Sequence, residues 1–73
     1  MAQLTHDEYE RLERAVTRGQ QIVVYRRGTE YVLVPLALRV RGGREVIEAR
    51  NPTTGDALSI AVDELDSIEM IPR

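Results

Sequence analysis

The amino-acid sequence predicts a mainly β protein in which one N-terminal α-helix is followed by five short antiparallel strands that curl into a small barrel. Residues 21–38 hold two runs rich in β-branched residues, IVVY and YVLV, on either side of a short polar link. Turn-forming segments divide the rest of the chain into short apolar stretches. Closing so small a sheet into a barrel would hide its edges.

The whole chain, residues 1–73, is interpreted as one domain with a helix at 5–18 and a barrel at 21–71. An open antiparallel sheet with the helix lying across it is the alternative arrangement. A domain of this length buries only about 60% of the surface that its unfolded chain exposes. Either one compact core is enough to stabilise the fold, or a partner or a second copy covers part of the protein surface.

The composition excludes several classes of protein. There is no cysteine, so neither a disulfide nor a thiolate zinc site is expected. No apolar run reaches the 18 or more residues that a membrane span needs. The first ten residues are acidic and lack the apolar segment of a signal peptide. We therefore expect a cytoplasmic protein without membrane contact.

Charge is unevenly distributed along the chain. All ten basic residues are arginine, and the formal net charge is −2. Residues 26–50 contain six arginines and three glutamates, a local charge of +3. The overall charge is not that of a general nucleic-acid binder, but the middle of the chain predicts a local basic patch.

The helix has clear start and stop signals. Thr5 and Glu8 have the spacing of a capping box, and Leu4 and Tyr9 that of a hydrophobic staple. Gly19 predicts the C-terminal end, since glycine readily adopts the left-handed conformation found there. The spacing of Tyr9, Leu12 and Val16 predicts the buried face.

Two pairs of opposite charge are expected to stabilise this helix. Asp7 precedes Arg11 by four residues, and Glu10 precedes Arg14 by the same interval. Side chains at this spacing are neighbours on the helix surface, with the acid in the favourable N-terminal position.

The first two strands are predicted at residues 21–27 and 30–41. Four consecutive apolar residues in the first strand, 22–25, indicate burial on both faces, one against the barrel core and one against the helix. Gly28 and Thr29 are expected to form the turn. Pro35 removes a backbone donor and therefore predicts a bend, a bulge or an edge position in the second strand.

The remaining strands follow two turn segments. Gly42 and Gly43 predict a tight turn into strand three at residues 44–50, and residues 51–56 consist of turn-forming residues. Strand four alternates, and one face carries Leu58, Ile60 and Val62.

The C-terminal region predicts a 3₁₀ turn and a fifth strand. Residues 63–66 are too charged and too short for a strand, so a single 3₁₀ turn with Leu65 inward is expected. The fifth strand spans 67–71, with Ile68 and Met70 on one face, and Pro72 ends it.

Residues 12–71 resemble the WYL domain, an SH3/Sm-like barrel of bacterial transcription regulators. The similar segments are LERAVTRGQQIVVYRR, EYVLVPLALRVRGGREVIEAR and SIAVDELDSIEMI. The Trp-Tyr-Leu tripeptide itself is absent, since Glu45, Val46 and Ile47 lie near its place, and Asp63 is followed by Glu64 rather than arginine. The resemblance implies a regulatory binding module whose ligand is a nucleotide or single-stranded nucleic acid.

The candidate binding residues are arginines near the strand ends and tyrosines beside the first hairpin. Arginine with aromatic platforms is typical of single-stranded nucleic-acid recognition. Three interleaved glutamates favour the alternative, a salt-bridged sheet surface. The candidates are Tyr25, Arg26, Arg27, Tyr31, Arg39, Arg41, Arg44 and Arg50.

Catalytic and metal-binding chemistry is not predicted. His6 is the only histidine and lies in the first turn of a surface helix, and neither Ser59 nor Ser67 has a nearby base in the sequence. The acidic residues at 63–66 fit a solvated turn better than a cation loop. We therefore expect no enzymatic activity, no cofactor and no metal.

Two functions remain from the sequence. The first is a WYL-like regulatory module that binds an anionic ligand or nucleic acid through its arginine-rich face. The second is a protein-interaction or homo-oligomerisation module that pairs through the edge strands of its sheet.

Overall fold

The computed structural model describes residues 4–71 and contains one helix followed by a five-stranded antiparallel sheet, as predicted. Pro72, predicted to end the last strand, lies outside the described residues. None of the helices in the described part of the chain is long and apolar enough to cross a membrane. The elements are α1 (His6–Arg18), β1 (Ile22–Arg26), β2 (Thr29–Arg41), β3 (Arg44–Arg50), β4 (Ala57–Ala61), a 3₁₀ turn (Val62–Glu64) and β5 (Ser67–Met70).

Both ends of α1 have the predicted caps. The Glu8 backbone N–H donates to the Thr5 hydroxyl at 3.2 Å, and the Thr5 N–H donates to the Glu8 carboxylate at 3.0 Å. Gly19 has a φ of 64°. The N–H groups of Gly19 and Gln20 donate to carbonyls of the last helical turn, at 3.4 and 2.9 Å. The capping box and the glycine stop are therefore confirmed.

The buried face of α1 differs from the predicted one. Leu12 is fully buried as expected, but its companion is Ala15, which is 1% exposed, while Tyr9 is 38% exposed. Val16 is half-buried. The prediction was wrong about Tyr9 because it weighted large apolar side chains, whereas alanine supplies the close contact here.

Within residues 4–71 the strands follow the order β4-β3-β2-β1-β5, so β4 and β5 are the two edges and the sheet is not closed. Closure into a barrel stays a prediction. The sheet is nevertheless strongly bent: a straight strand of the length of β2, 13 residues, would be about 40 Å long. The longest dimension of the molecule is 29 Å.

The bend of β2 coincides with its proline. The first half of β2 pairs with β1, and the second half pairs with β3. The pairing register shifts between Pro35 and Ala37, so Leu36 is the extra residue of a bulge. The predicted irregularity at Pro35 is confirmed.

The first hairpin turns one residue earlier than predicted. Arg26 pairs with Thr29, so the turn residues are Arg27 and Gly28, with φ values of 52° and 78°. Two consecutive positive φ values define a type I′ turn, whose twist suits antiparallel strands. Arg27 adopts this conformation although it carries a side chain.

One hydrophobic core joins the helix to the sheet. Leu12 and Ala15 of α1 belong to the same buried cluster as Ile22 and Val24 of β1. Val23 is only half-buried, so the predicted burial of β1 on both faces is wrong. The helix and the inner sheet face share one core, and the outer face of β1 lacks a full cover.

Candidate functional site

Arg26 and Tyr31 form a stacked pair near the tip of the first hairpin. The Arg26 guanidinium carbon lies 5.1 Å from the centroid of the Tyr31 ring, and its Nη2 donates to the Tyr31 hydroxyl at 3.3 Å. Tyr31 pairs with the buried Val24, which places it on the inner face of the sheet. Within residues 4–71, Arg26 forms no ion pair.

Tyr25 lies on the other face of the same hairpin. It follows Val24, and consecutive strand residues point to opposite faces. Its hydroxyl donates to the Glu30 carboxylate at 3.1 Å, and this hydrogen bond is the main cause of the raised pKa of the phenol. Tyr25 and Tyr31 therefore do not form a single stacking surface.

Arg39 and Arg41 share one carboxylate on the outer face of β2 and β3. Arg39 Nε lies 2.5 Å from Glu48 Oε1, and Arg41 Nη2 lies 2.9 Å from Glu48 Oε2. The hydrogen bonds from Arg39 and then Arg41 lower the pKa of Glu48. Because the folded-state pKa is lowered, this stabilisation is present at neutral pH and is lost as the pH falls through the lowered value.

Arg44 is also paired with acidic residues of the chain. Its guanidinium contacts both Asp63 carboxylate oxygens, at 2.9 and 2.6 Å, and lies 3.6 Å from Glu64. The hydrogen bond from Arg44 lowers the pKa of Asp63. This bidentate pair fixes the 3₁₀ turn to the start of β3.

The remaining candidates, Arg27 and Arg50, are exposed and form no ion pair among the residues that the structure describes. The eight candidate residues thus lie in separate places rather than on one face. Three of the six candidate arginines are engaged with the chain's own acids. The sequence could indicate the alternation of charges but not these pairings, since Arg44 and Asp63 are 19 residues apart.

β4 lies at an edge of the sheet, whereas the prediction of a closed barrel indicated no free edge there. Within residues 4–71, β4 pairs with β3 on one side and has no strand partner on the other. Its five residues, ALSIA, include no charge and no proline, the devices that commonly protect an exposed edge. Leu36 is 50% exposed and lines a shallow groove together with Ala57, Leu58 and Ser59.

Metal-binding clusters are not found in the described chain. No group of three or more histidine, cysteine or carboxylate side chains there could hold a metal ion. His6 Nε2 lies 2.8 Å from Glu10 on the exposed surface of α1.

No protein-family model matches the chain, and no curated protein matches it significantly. The resemblance to the WYL domain therefore stays a prediction.

Proposed function

We propose that the protein is a small non-enzymatic interaction module that self-associates by strand pairing at β4. The observation that supports this most strongly is the free β4 edge, Ala57–Ala61, which has no charged residue. An edge strand presents a row of backbone N–H and C=O groups that another strand can pair with. A domain of this size buries a smaller fraction of its surface on folding than a larger domain does, so the additional burial in a dimer would stabilise it.

Two copies can pair antiparallel through this edge without an electrostatic conflict. In a symmetric register centred on Ser59, Ala57 of one copy faces Ala61 of the other. The flanking acids Asp56 and Asp63 face uncharged residues of the second copy. Isologous pairing of this kind gives a closed twofold dimer, and the exposed Leu36 beside β4 adds apolar area at its border.

Ser59→Lys is expected to weaken self-association on the order of tenfold, because two like charges would face each other in this register. The monomer should tolerate the change, since Ser59 is exposed and pairs with Glu48. Val40→Lys is the matched control. Val40 is 70% exposed in the half of β2 that pairs with β3, away from β4, and pairs with Glu45, so it also places lysine opposite glutamate.

Sedimentation velocity over a concentration series measures the effect. The proposal predicts a concentration-dependent dimer for the wild type and for Val40→Lys, and a shift toward monomer for Ser59→Lys. A wild-type protein that stays monomeric at high micromolar concentration would contradict the proposal. So would a Ser59→Lys protein that associates as strongly as the Val40→Lys control.

A second candidate function is binding of an anionic ligand or single-stranded nucleic acid, in the regulatory role that the WYL resemblance implies. The stacked pair of Arg26 and Tyr31 favours it, because Arg26 combines a ring contact with the lack of an ion pair in the described chain.

Fluorescence anisotropy with labelled oligothymidylate tests this candidate. Binding should weaken steeply with salt, and Arg26→Gln should weaken it several-fold. Arg39→Gln serves as the control, because Arg39 is already paired with Glu48. An absence of binding at low salt, or equal losses in the two variants, would exclude Arg26 and Tyr31 as the site.

A further inference from the structure

A groove runs between α1 and the edge strand β5. One part of it, with a volume of about 340 Å³, is lined by Glu8 and Arg11 of the helix and by Ile68, Glu69 and Met70 of the strand. A second part of about 270 Å³ shares Arg11 and Met70 with the first, and its other lining residues are Arg14, Arg18 and Gln20.

The helix contributes a basic stripe to this groove. Arg11, Arg14 and Arg18 have the i, i+3, i+7 spacing of one helix flank. Arg11 is 3.2 Å from Asp7, but Arg14 and Arg18 form no ion pair within residues 4–71. The predicted partner of Arg14, Glu10, contacts His6 instead. Two cations at the groove are therefore not neutralised within the described chain.

The strand contributes a backbone edge without a second strand partner in the part of the chain that the structure describes. Among the described residues, β5 pairs only with β1, so its other side has no strand partner there. Ile68, Glu69 and Met70 are consecutive and all line the groove. Consecutive strand residues point to opposite faces, so a groove lined by all three runs along the edge of the strand.

We infer that this groove binds an acidic peptide in extended conformation, which pairs with β5 as an additional strand and directs carboxylates to Arg14 and Arg18. Alternate residues of an extended peptide are about 6.6 Å apart, and Arg14 and Arg18 are separated by about 6 Å along the helix axis. Acids at every second position therefore match the two arginines. Glu8 and Glu69 line the other part of the groove, which places the acidic end of the peptide beside Arg14 and Arg18.

The site lies at the opposite edge of the sheet from β4 and does not depend on self-association there. Its partner is a different protein segment, recognised by backbone pairing and by negative charge. Backbone hydrogen bonds supply affinity in this binding mode, and side-chain contacts supply selectivity.

The test uses a fluorescein-labelled, end-capped hexapeptide that has uncharged residues in one half and two glutamates separated by one valine in the other half, titrated with the full chain. The variant Arg14→Gln/Arg18→Gln removes both free cations. Arg27→Gln/Arg50→Gln is the matched control, because it removes two exposed arginines that also lack ion pairs in the described structure. A peptide methylated at alternate backbone nitrogens tests the strand pairing itself.

The wild type and the control variant should bind the hexapeptide equally, and Arg14→Gln/Arg18→Gln should bind it about tenfold more weakly. The N-methylated peptide should also lose at least about tenfold. Equal losses in the two variants, equal binding of the methylated peptide, or no binding to the wild type would overturn the inference. Oligothymidylate binding that requires Arg14 and Arg18, without peptide binding, would reassign the surface to nucleic acid.

Discussion

Leu12→Ala is expected to lower the free energy of unfolding by about 3 kcal/mol, within the usual range for a buried leucine. Leu12 is fully buried and belongs to the cluster that joins α1 to β1 and β2. The variant loses apolar burial and leaves a cavity that the surrounding side chains fill only in part. A domain of this size has a total stability of only about 4–11 kcal/mol, so the loss is a large share of it.

Tyr9→Ala on the same helix is the control, and urea denaturation followed by circular dichroism is the measurement. Tyr9 is 38% exposed, so its truncation should cost clearly less than that of Leu12. Equal losses for Tyr9→Ala and Leu12→Ala would show that Tyr9 belongs to the helix–sheet contact and would contradict the observed helix face.

Gly43→Val is expected to destabilise the protein by about 1–2 kcal/mol. Gly43 has a φ of 78° in the two-residue turn between β2 and β3. A β-branched residue strongly disfavours this conformation. Among the described residues, no atom outside Gly43 and its two chain neighbours lies within 4 Å of a Cβ built at this position, so the backbone conformation rather than a collision causes the loss.

Gly43→Asn distinguishes an unfavourable backbone conformation from a steric collision as the cause of the loss. Asparagine tolerates the left-handed conformation better than other residues with a side chain, so it should retain most of the stability that valine loses. Thermal unfolding of both variants beside the wild type measures the difference. Equal melting temperatures for the two variants would contradict the backbone explanation.

The features that the sequence predicted correctly depend on local signals. Both helix caps depend on residues that are close in the sequence, namely Thr5 with Glu8 at one end and Gly19 at the other. Their effect can therefore be predicted from the sequence alone. The same is true of the irregularity at Pro35, since proline cannot donate a ladder hydrogen bond. The order of one helix and five strands was predicted from equally local signals, the apolar runs and the turn segments between them.

The features that the sequence did not predict depend on distant contacts. Ala15 rather than Tyr9 faces the core because the helix packs closely against the sheet at this small residue. The orientation of the helix on the sheet is not encoded in any local sequence pattern. The separation of Tyr25 from Tyr31 follows from the pairing register of the first hairpin.

The candidate site also differs from the prediction because its contacts join residues that are distant in the sequence. Glu48 pairs with both Arg39 and Arg41, and Asp63 pairs with Arg44, between segments that the sequence could not align in advance. Arg14 lacks its predicted partner because Glu10 contacts His6. The sequence shows that Ala57–Ala61 carries no charge. Only the strand order shows that this uncharged segment forms an edge of the sheet.

The most direct test of the proposed function is amide hydrogen exchange of β4 by NMR at low and high micromolar protein concentration. Backbone pairing between two copies protects N–H groups that otherwise face solvent at the sheet edge. Slower exchange confined to Ala57–Ala61 at high concentration, with unchanged rates for central residues such as Leu33 of β2, is the predicted result. Exchange rates in β4 that do not depend on protein concentration would contradict self-association through this strand.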